Sequence, residues 1–326
     1  MAAAHGGITA DEVVGGIDLR GTRAIVTGAS SGLGVETARS LARAGAEVTL
    51  AVRDPGAGAR TARDIAATTG SRALRVEAID LADLDSVAAF AQRWTGPLHL
   101  LINNAGVVVQ ALHRTREGFE LQFATNHLGH FALANRLHAK LAHGARERGS
   151  ARIVAVSSTA HMRSPVVFDD VHFLRRAYDP QAAYAQSKTA NSLFAVEATR
   201  RWAGDGIVAN AVNPGGVATG LQRDFSQQQK DSLAAAEAAG IFRYKTAQQG
   251  AATTLVAAVA PEYAHSGGHY LDDCREARTV PDDADLLGNS DGVKAWALDP
   301  VAAARLWDYS VSSTTARSRE AGIGPS

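Results

Sequence analysis

The sequence predicts an α/β fold: one doubly wound domain whose seven-stranded parallel sheet carries helices on both faces. Short apolar runs rich in Val, Ile and Leu recur along the 326 residues, separated by alanine-rich segments with helical spacing. Strands joined through helices must run parallel, and right-handed crossovers then stack the helices on both faces. No internal repeat and no Pro- or Gly-rich linker divides the chain. One domain over 21–309 is therefore expected, after an N-terminal extension (1–20) and before a frayed tail (310–326).

Strands are read at 24–27, 47–52, 73–78, 98–103, 152–157, 208–212 and 269–271, and helices begin near Gly32, Pro55, Asp83, Thr115, Ala182 and Ala247. Three stretches fit the alternation poorly: 159–181, 218–246 and 272 onward. Each follows the carboxyl end of a strand, where open parallel sheets bind ligands, so each is either a pocket wall or a solvated loop.

Composition narrows the function. Hydrophobic residues make up 46% and charged residues 20%, ordinary for a chain that buries a core. Lys plus Arg and Asp plus Glu balance at 33 each, so no net field concentrates the chain on nucleic acid or an anionic membrane. The expected partner is a small molecule. The single cysteine, Cys274, excludes an intramolecular disulfide or a cysteine-cluster zinc site and suits a reducing compartment. No basic-then-apolar leader is visible, and no stretch reaches the roughly 18 apolar residues of a membrane span, so a cytoplasmic location is expected.

The first strand runs directly into Thr27-Gly28-Ala29-Ser30-Ser31-Gly32-Leu33-Gly34, where a helical pattern begins. A tight glycine turn lets main-chain amides approach a pyrophosphate, and the helix N-terminus adds unpaired N–H groups and a partial positive charge. Such turns are common, so the turn alone is weak evidence. Its spacing, three residues between the first two glycines, resembles the signature of the short-chain dehydrogenase/reductase family, whose fold is of the Rossmann type. The resemblance continues in chain order. Asp80 and Leu81 match the pair that the family places beside the adenine, and Asn103-Asn104-Ala105-Gly106 matches its NNAG motif. Pro214, Gly215, Val217 and Thr219, within 213–219, match its nicotinamide segment. The implied cofactor contacts are Gly28, Ser30, Ser31, Gly32, Leu33, Gly34, Asp80, Leu81, Asn104, Ala105, Gly106, Pro214, Gly215, Val217 and Thr219.

The tip of the second strand should lie beside the adenosine ribose, where an NAD enzyme presents a carboxylate. Val52 stands there instead, and Arg53 follows with a planar fork suited to a 2′-phosphate. NADP(H) is thus favoured over NAD(H). Asp54 is the counterargument, because a register slip of one residue would bring a carboxylate to the ribose.

Tyr184 and Lys188 lie one turn apart on a helix. A phenol with an ordinary pKa of about 10 exchanges protons poorly at neutral pH. A nearby ammonium and a positive nicotinamide would both lower it. The same spacing occurs by chance on solvated helices, but here it matches the family's catalytic pair. The resemblance implies Ser158, with Ser157 as the fallback, as the serine that stabilises charge on the substrate oxygen. It implies Asn126, in Ala124-Thr125-Asn126-His127-Leu128-Gly129, as the residue that holds a water in a relay toward Lys188. The implied activity is interconversion of a carbonyl and an alcohol by hydride transfer, with Tyr184 as general acid/base, Lys188 also holding the ribose, and no metal.

Within the family, Val52-Arg53-Asp54, Ser157-Ser158-Thr159-Ala160-His161, the segment 184–191 and Gly268-His269-Tyr270-Leu271-Asp272-Asp273-Cys274 are similar to the branch of retinol dehydrogenases and WW-domain oxidoreductases. His161 is read as a pocket residue or a structural histidine. Phe242, Trp296, Trp307 and Tyr309 are read as core packing ahead of an apolar lid. A hydrophobic carbonyl compound is the expected substrate class. The resemblance also implies a homodimer or homotetramer through the helices at 115–143 and 182–202. The competing readings are a related epimerase or lyase, a cofactor-sensing protein without turnover, and a methyltransferase. The first usually has a TG-x-x-G-x-x-G turn and a substantial C-terminal substrate domain, the second often lacks the tyrosine or the lysine, and the third needs neither Arg53 nor the Tyr184 and Lys188 pair.

Overall fold

The computed structural model describes residues 7–217, 244–286 and 288–315, with isolated positions 227, 231, 234, 235 and 237. Parallel strands form where the apolar runs were read: β1 Arg23–Thr27, β2 Glu47–Val52, β3 Leu74–Ala78, β4 Leu100–Asn103, β5 Ala151–Val156, β6 Ile207–Asn213 and β7 Tyr270–Asp272. The helices among the described residues include α1 Ala10–Val13, α2 Gly32–Arg43, α3 Pro55–Thr69, α4 Leu84–Arg93, α5 Gly129–Arg148, α6 Pro180–Trp202, α7 Ala247–Val259 and α8 Pro300–Thr315.

Side-chain alternation divides the core into two layers. Along β1, Ala24 and Val26 join the layer under α2, α3 and α7, whereas Ile25 joins the layer under α4, α5 and α6. Both faces are covered, which is why the strands read as continuous apolar runs rather than alternating ones. The strand order β3-β2-β1-β4-β5-β6-β7 reverses direction between β1 and β4. A crevice therefore opens at their carboxyl ends, where the glycine turn and the NNAG motif both lie.

The sheet has eight strands rather than seven. A two-residue strand, β8 Arg275–Glu276, pairs antiparallel with β7. The connecting residues Asp273 and Cys274 both have positive φ, 47° and 62°. That is the geometry of a type I′ hairpin turn, and Asp-Cys lacks the Asn-Gly or Asp-Gly signature that would have announced it.

The helix expected near Thr115 starts later. Gly118, at φ 85°, closes a turn in which Thr115 N–H donates to Phe119 O at 2.9 Å. The helical turn Leu121–Phe123 is capped by Glu120, whose carboxylate accepts from Gln122 N and Phe123 N. A π turn, Ala124–Leu128, then leads into α5.

The C-terminal region also departs from expectation. Residues 310–315, expected to fray, belong to α8, while 316–326 lie outside the described residues. Ala303, Leu306, Trp307 and Ser310 recur at helical spacing and are buried. Trp307 stacks on Phe194 of α6 at 6.2 Å between ring centroids and meets Phe131 and Trp202 edge-on at 5.0 and 5.1 Å. Trp307 is therefore core packing. The chain itself covers this part of the α6 surface, through which assembly was expected.

Among the described residues, the buried histidines His127, His130 and His161 are pushed by burial down to about 3, about 4 and about 4. An imidazole in the unfolded chain titrates near its ordinary value of about 6.5, so between about 6.5 and 4 the unfolded state binds more protons. Stability is then complete above about pH 6.5 and falls as the pH drops through that window. Melting curves at pH 7.5, 5.5 and 4.5 are expected to give a progressively lower Tm, and a constant Tm across the series would contradict this account.

Candidate functional site

The glycine turn is shaped for close approach. Gly28 has φ 67°, and a Cβ there would lie 2.9 Å from the Ala105 Cα. On Gly34 a Cβ would lie 2.6 Å from both the Gly28 carbonyl oxygen and Asn104 Nδ2, so α2 can sit against the ends of β1 and β4 only with glycine at this position. Ser31 is the N-cap of α2, yet its side chain makes no capping bond. The first amides of α2, at Gly32, Leu33 and Gly34, thus remain without a side-chain cap at a positive helix end, which fits a pyrophosphate. Ser30 is half-buried and Ser31 exposed beside them.

Thr27 ties this turn to the NNAG motif. Its hydroxyl accepts the N–H groups of Asn104 and Ala105, both at 3.0 Å, and Asn104 Nδ2 donates back to Thr27 O at 2.7 Å. Gly106 lies deeper, where a Cβ would stand 3.4 Å from Asn126 Oδ1 and 3.5 Å from Lys188 Nζ. Asp80 accepts from Ala82 N at 2.9 Å, and Leu81 is buried in the α4–α5 layer.

At the tip of β2 the register is clear. Val52 is buried, and Arg53 is exposed with no ion pair or hydrogen bond among the described residues. The Asp54 carboxylate is occupied as the N-cap of α3, accepting from Gly56 N at 2.8 Å and Ala57 N at 3.2 Å.

Ser158, Tyr184, Lys188 and Asn126 come together at the carboxyl edge of β5 and β4. Asp179 caps the first turn of α6 by accepting from Gln181 N and Ala182 N, and this starts the helix that presents Tyr184 and Lys188 on one face. The Ser158 hydroxyl stands beside the half-buried Tyr184 phenol and accepts from Ala160 N at 3.1 Å. Lys188 is 3% exposed; its Nζ lies 5.5 Å from the Tyr184 ring centroid and donates to Val156 O at 2.9 Å. An ammonium has three donors, and Val156 O is the one acceptor of Nζ among the described residues. A buried, part-satisfied cation of this kind fits the hydroxyls of a ribose.

Burial dominates the ionisation of both groups. It pushes Lys188 down to about 8 and Tyr184 up to about 12, the latter opposed by the neighbouring Ser158 hydroxyl. The lowered phenol expected from sequence is therefore not a property of the chain by itself, because desolvation of the phenolate outweighs the opposing Ser158 hydroxyl.

Ser157 takes a different place from Ser158. It is buried, donates to Lys188 O at 2.8 Å and receives a bond from Ser192 Oγ at 3.2 Å. Asn126 Oδ1 accepts from Val107 N at 2.8 Å, while its Nδ2 donates to Val107 O at 3.1 Å and Ser187 Oγ at 3.0 Å. Ser187 in turn donates to Tyr184 O at 2.7 Å. His161 is fully buried behind Ser158, so it is structural and not a pocket wall.

Pro214, Gly215 and Val217 follow β6 as expected, with Gly215 at φ 76°. Thr219, like Phe242, lies outside the described residues. Two residues here were not singled out from sequence. Asn213 accepts from Thr159 N at 3.2 Å and Gly215 N at 3.1 Å and donates to Thr159 Oγ1 at 2.8 Å, linking the segment after Ser158 to the segment before Val217. Lys245 bridges to Val217, packs over Gly215 and pairs with Asp273 at 3.2 Å. Asn213 stood inside a quoted motif, whereas nothing local in the sequence marks Lys245.

A family model described as short chain dehydrogenase matches residues 22–230. The chain is similar to a Streptomyces lividans protein named "Probable oxidoreductase", with 49% identity over 305 residues, 92% of this chain and 100% of the relative. It is also similar to human retinol dehydrogenase 11, with 37% identity over 297 residues, 90% of this chain and 86% of the relative. A Beutenbergia cavernae protein whose structure holds NADP at low occupancy superposes with a TM-score of 0.63 and 27% identity, over 78% of this chain and 96% of that one. With the sheet order, the glycine turn and these matches together, the chain belongs to the short-chain dehydrogenase/reductase family and is similar to its retinol dehydrogenase branch.

Proposed function

We propose that this chain is an NADP(H)-preferring oxidoreductase that interconverts a hydrophobic ketone or aldehyde with its alcohol, Tyr184 acting as general acid in reduction and as general base in oxidation. The observation that carries this reading is the Tyr184 phenol beside the Ser158 hydroxyl, one helical turn from a buried Lys188, at the strand ends where the glycine turn opens. When bound, the nicotinamide supplies or accepts the hydride. Gly28, Ser30, Ser31, Gly32, Leu33 and Gly34 would hold the pyrophosphate. Asp80, Leu81, Asn104, Ala105 and Gly106 would hold the adenosine side, and Pro214, Gly215 and Val217 the nicotinamide side, with Thr219 beside them.

In reduction the Tyr184 hydroxyl gives its proton to the substrate oxygen as that oxygen gains charge, and the Ser158 hydroxyl hydrogen-bonds the same atom. The Lys188 ammonium, anchored by Val156 O, offsets the phenolate that Tyr184 becomes. Asn126 anchors the water through which the proton is replaced. Support for NADP(H) comes from Arg53, which has no ion pair among the described residues, and from Asp54, whose carboxylate is turned into the helix cap and away from duty at a ribose.

Four substitutions test this reading. Tyr184→Phe is expected to bind NADPH normally and lose turnover of every active member of a ketone and aldehyde panel followed by NADPH absorbance; normal turnover would refute the assignment. Ser158→Ala is expected to lower kcat by about 10²-fold or more. Ser157→Ala should leave kcat within a few-fold and lower stability by about 1–2 kcal/mol, since it removes a buried bond. The reverse order of the two serines would exchange their roles. Arg53→Ala is expected to raise KM for NADPH by about tenfold and leave KM for NADH unchanged; equal effects on both cofactors would remove Arg53 from phosphate recognition.

A further inference from the structure

Two polar rings lie directly behind the proposed catalytic residues, each where an aliphatic side chain would fill the same space without a desolvation cost. His130, 3% exposed, follows Asn126 by one turn, and His161, fully buried, follows Ser158 by three residues. His130 Nδ1 lies 3.0 Å from the Asn126 carbonyl oxygen, and His161 Nδ1 lies 2.7 Å from that of Ser158. A carbonyl only accepts, so in both rings the proton sits on Nδ1 and Nε2 is a bare acceptor. The far contacts agree with this. His130 Nε2 is 2.9 Å from the Thr27 hydroxyl, and His161 Nε2 accepts the Lys294 main-chain N–H at 3.2 Å.

Each ring thus joins a catalytic residue to a distant segment. Thr27 Oγ1 already accepts two amides of the NNAG motif, and its one proton points between His130 Nε2, at 2.9 Å, and the more distant Ile102 carbonyl oxygen, at 3.3 Å. His130 so links the glycine turn to the π turn Ala124–Leu128, where the main-chain ladder is shifted by one residue. Lys294 belongs to β10, Val293–Lys294, which pairs with β9, Thr279–Val280. His161 so links Ser158 to the C-terminal region.

We infer that His130 and His161 are positioning residues, each clamping through Nδ1–H the main-chain carbonyl of one member of the reacting set, Asn126 and Ser158 respectively. The inference rests on the function proposed above. Burial keeps both rings neutral at neutral pH, which preserves the Nε2 acceptors.

The test compares His130→Leu and His161→Leu with His130→Gln and His161→Gln, since an amide keeps one donor and one acceptor. Each Leu variant is expected to bind NADPH within about threefold of wild type and to keep KM, while kcat falls about tenfold or more; the Gln variants should recover much of that loss. Folded Leu variants with wild-type kcat, or Gln variants no better than Leu, would overturn the inference. Where a Leu variant does not fold, ¹⁵N NMR of the histidine rings in the unaltered protein decides. A protonated Nδ1 and bare Nε2 in both rings at pH 7 are expected, and the opposite tautomer or a charged ring would overturn the clamp. Tyr184→Phe in the same assay separates the two claims: turnover by that variant defeats the functional reading itself, whereas a dead Tyr184→Phe beside fully active Leu variants defeats only the clamps.

Discussion

The site depends on how the ends of β1 and β4 are pinned across the point where the sheet order reverses. One hydroxyl, that of Thr27, accepts the amides of Asn104 and Ala105, and the Asn104 amide returns a bond to the Thr27 carbonyl. Main-chain groups that would otherwise be orphaned at two strand ends are satisfied there by the Thr27 hydroxyl and the Asn104 side-chain amide. Gly28 and Gly34 exist to let that junction close. The uncapped start of α2 then faces the crevice, and Gly106 faces Asn126 and Lys188.

Around this junction the chain accepts electrostatic costs that make sense only for a ligand. Lys188 is almost wholly buried, with one main-chain acceptor among the described residues, and Tyr184 is held far from ionisation. Neither arrangement stabilises the fold, since an unpaired buried ammonium is destabilising and a neutral phenol gains nothing from it. Both become useful when hydroxyls and a positive ring occupy the crevice.

Much of this was legible in sequence because it rests on local rules. Strand positions followed from apolar runs, and the start of α3 could be read from Asp54-Pro55, a capping residue followed by proline. The Tyr184 and Lys188 pair followed from helical spacing together with the family resemblance of the surrounding motifs. What escaped depends on contacts distant in sequence or on irregular backbone. The Asp273-Cys274 turn used residues outside the usual hairpin signature, and the helix near Thr115 was displaced by Gly118. The stripe of α8 was masked because Ser310 occupies a core position through a bond to His127, 2.8 Å long. The phenol's upward shift escaped because burial cannot be read from spacing. His130 and His161 are polar letters whose partners are carbonyls, which no motif records.

The most direct measurement is a crystal structure of the chain with NADP(H) and the alcohol product of its best substrate. The account expects the Tyr184 and Ser158 hydroxyls both within hydrogen-bond reach, about 2.6–3.2 Å, of the product oxygen. A product oxygen held by other groups, with the Tyr184 phenol turned away from the nicotinamide, would contradict it.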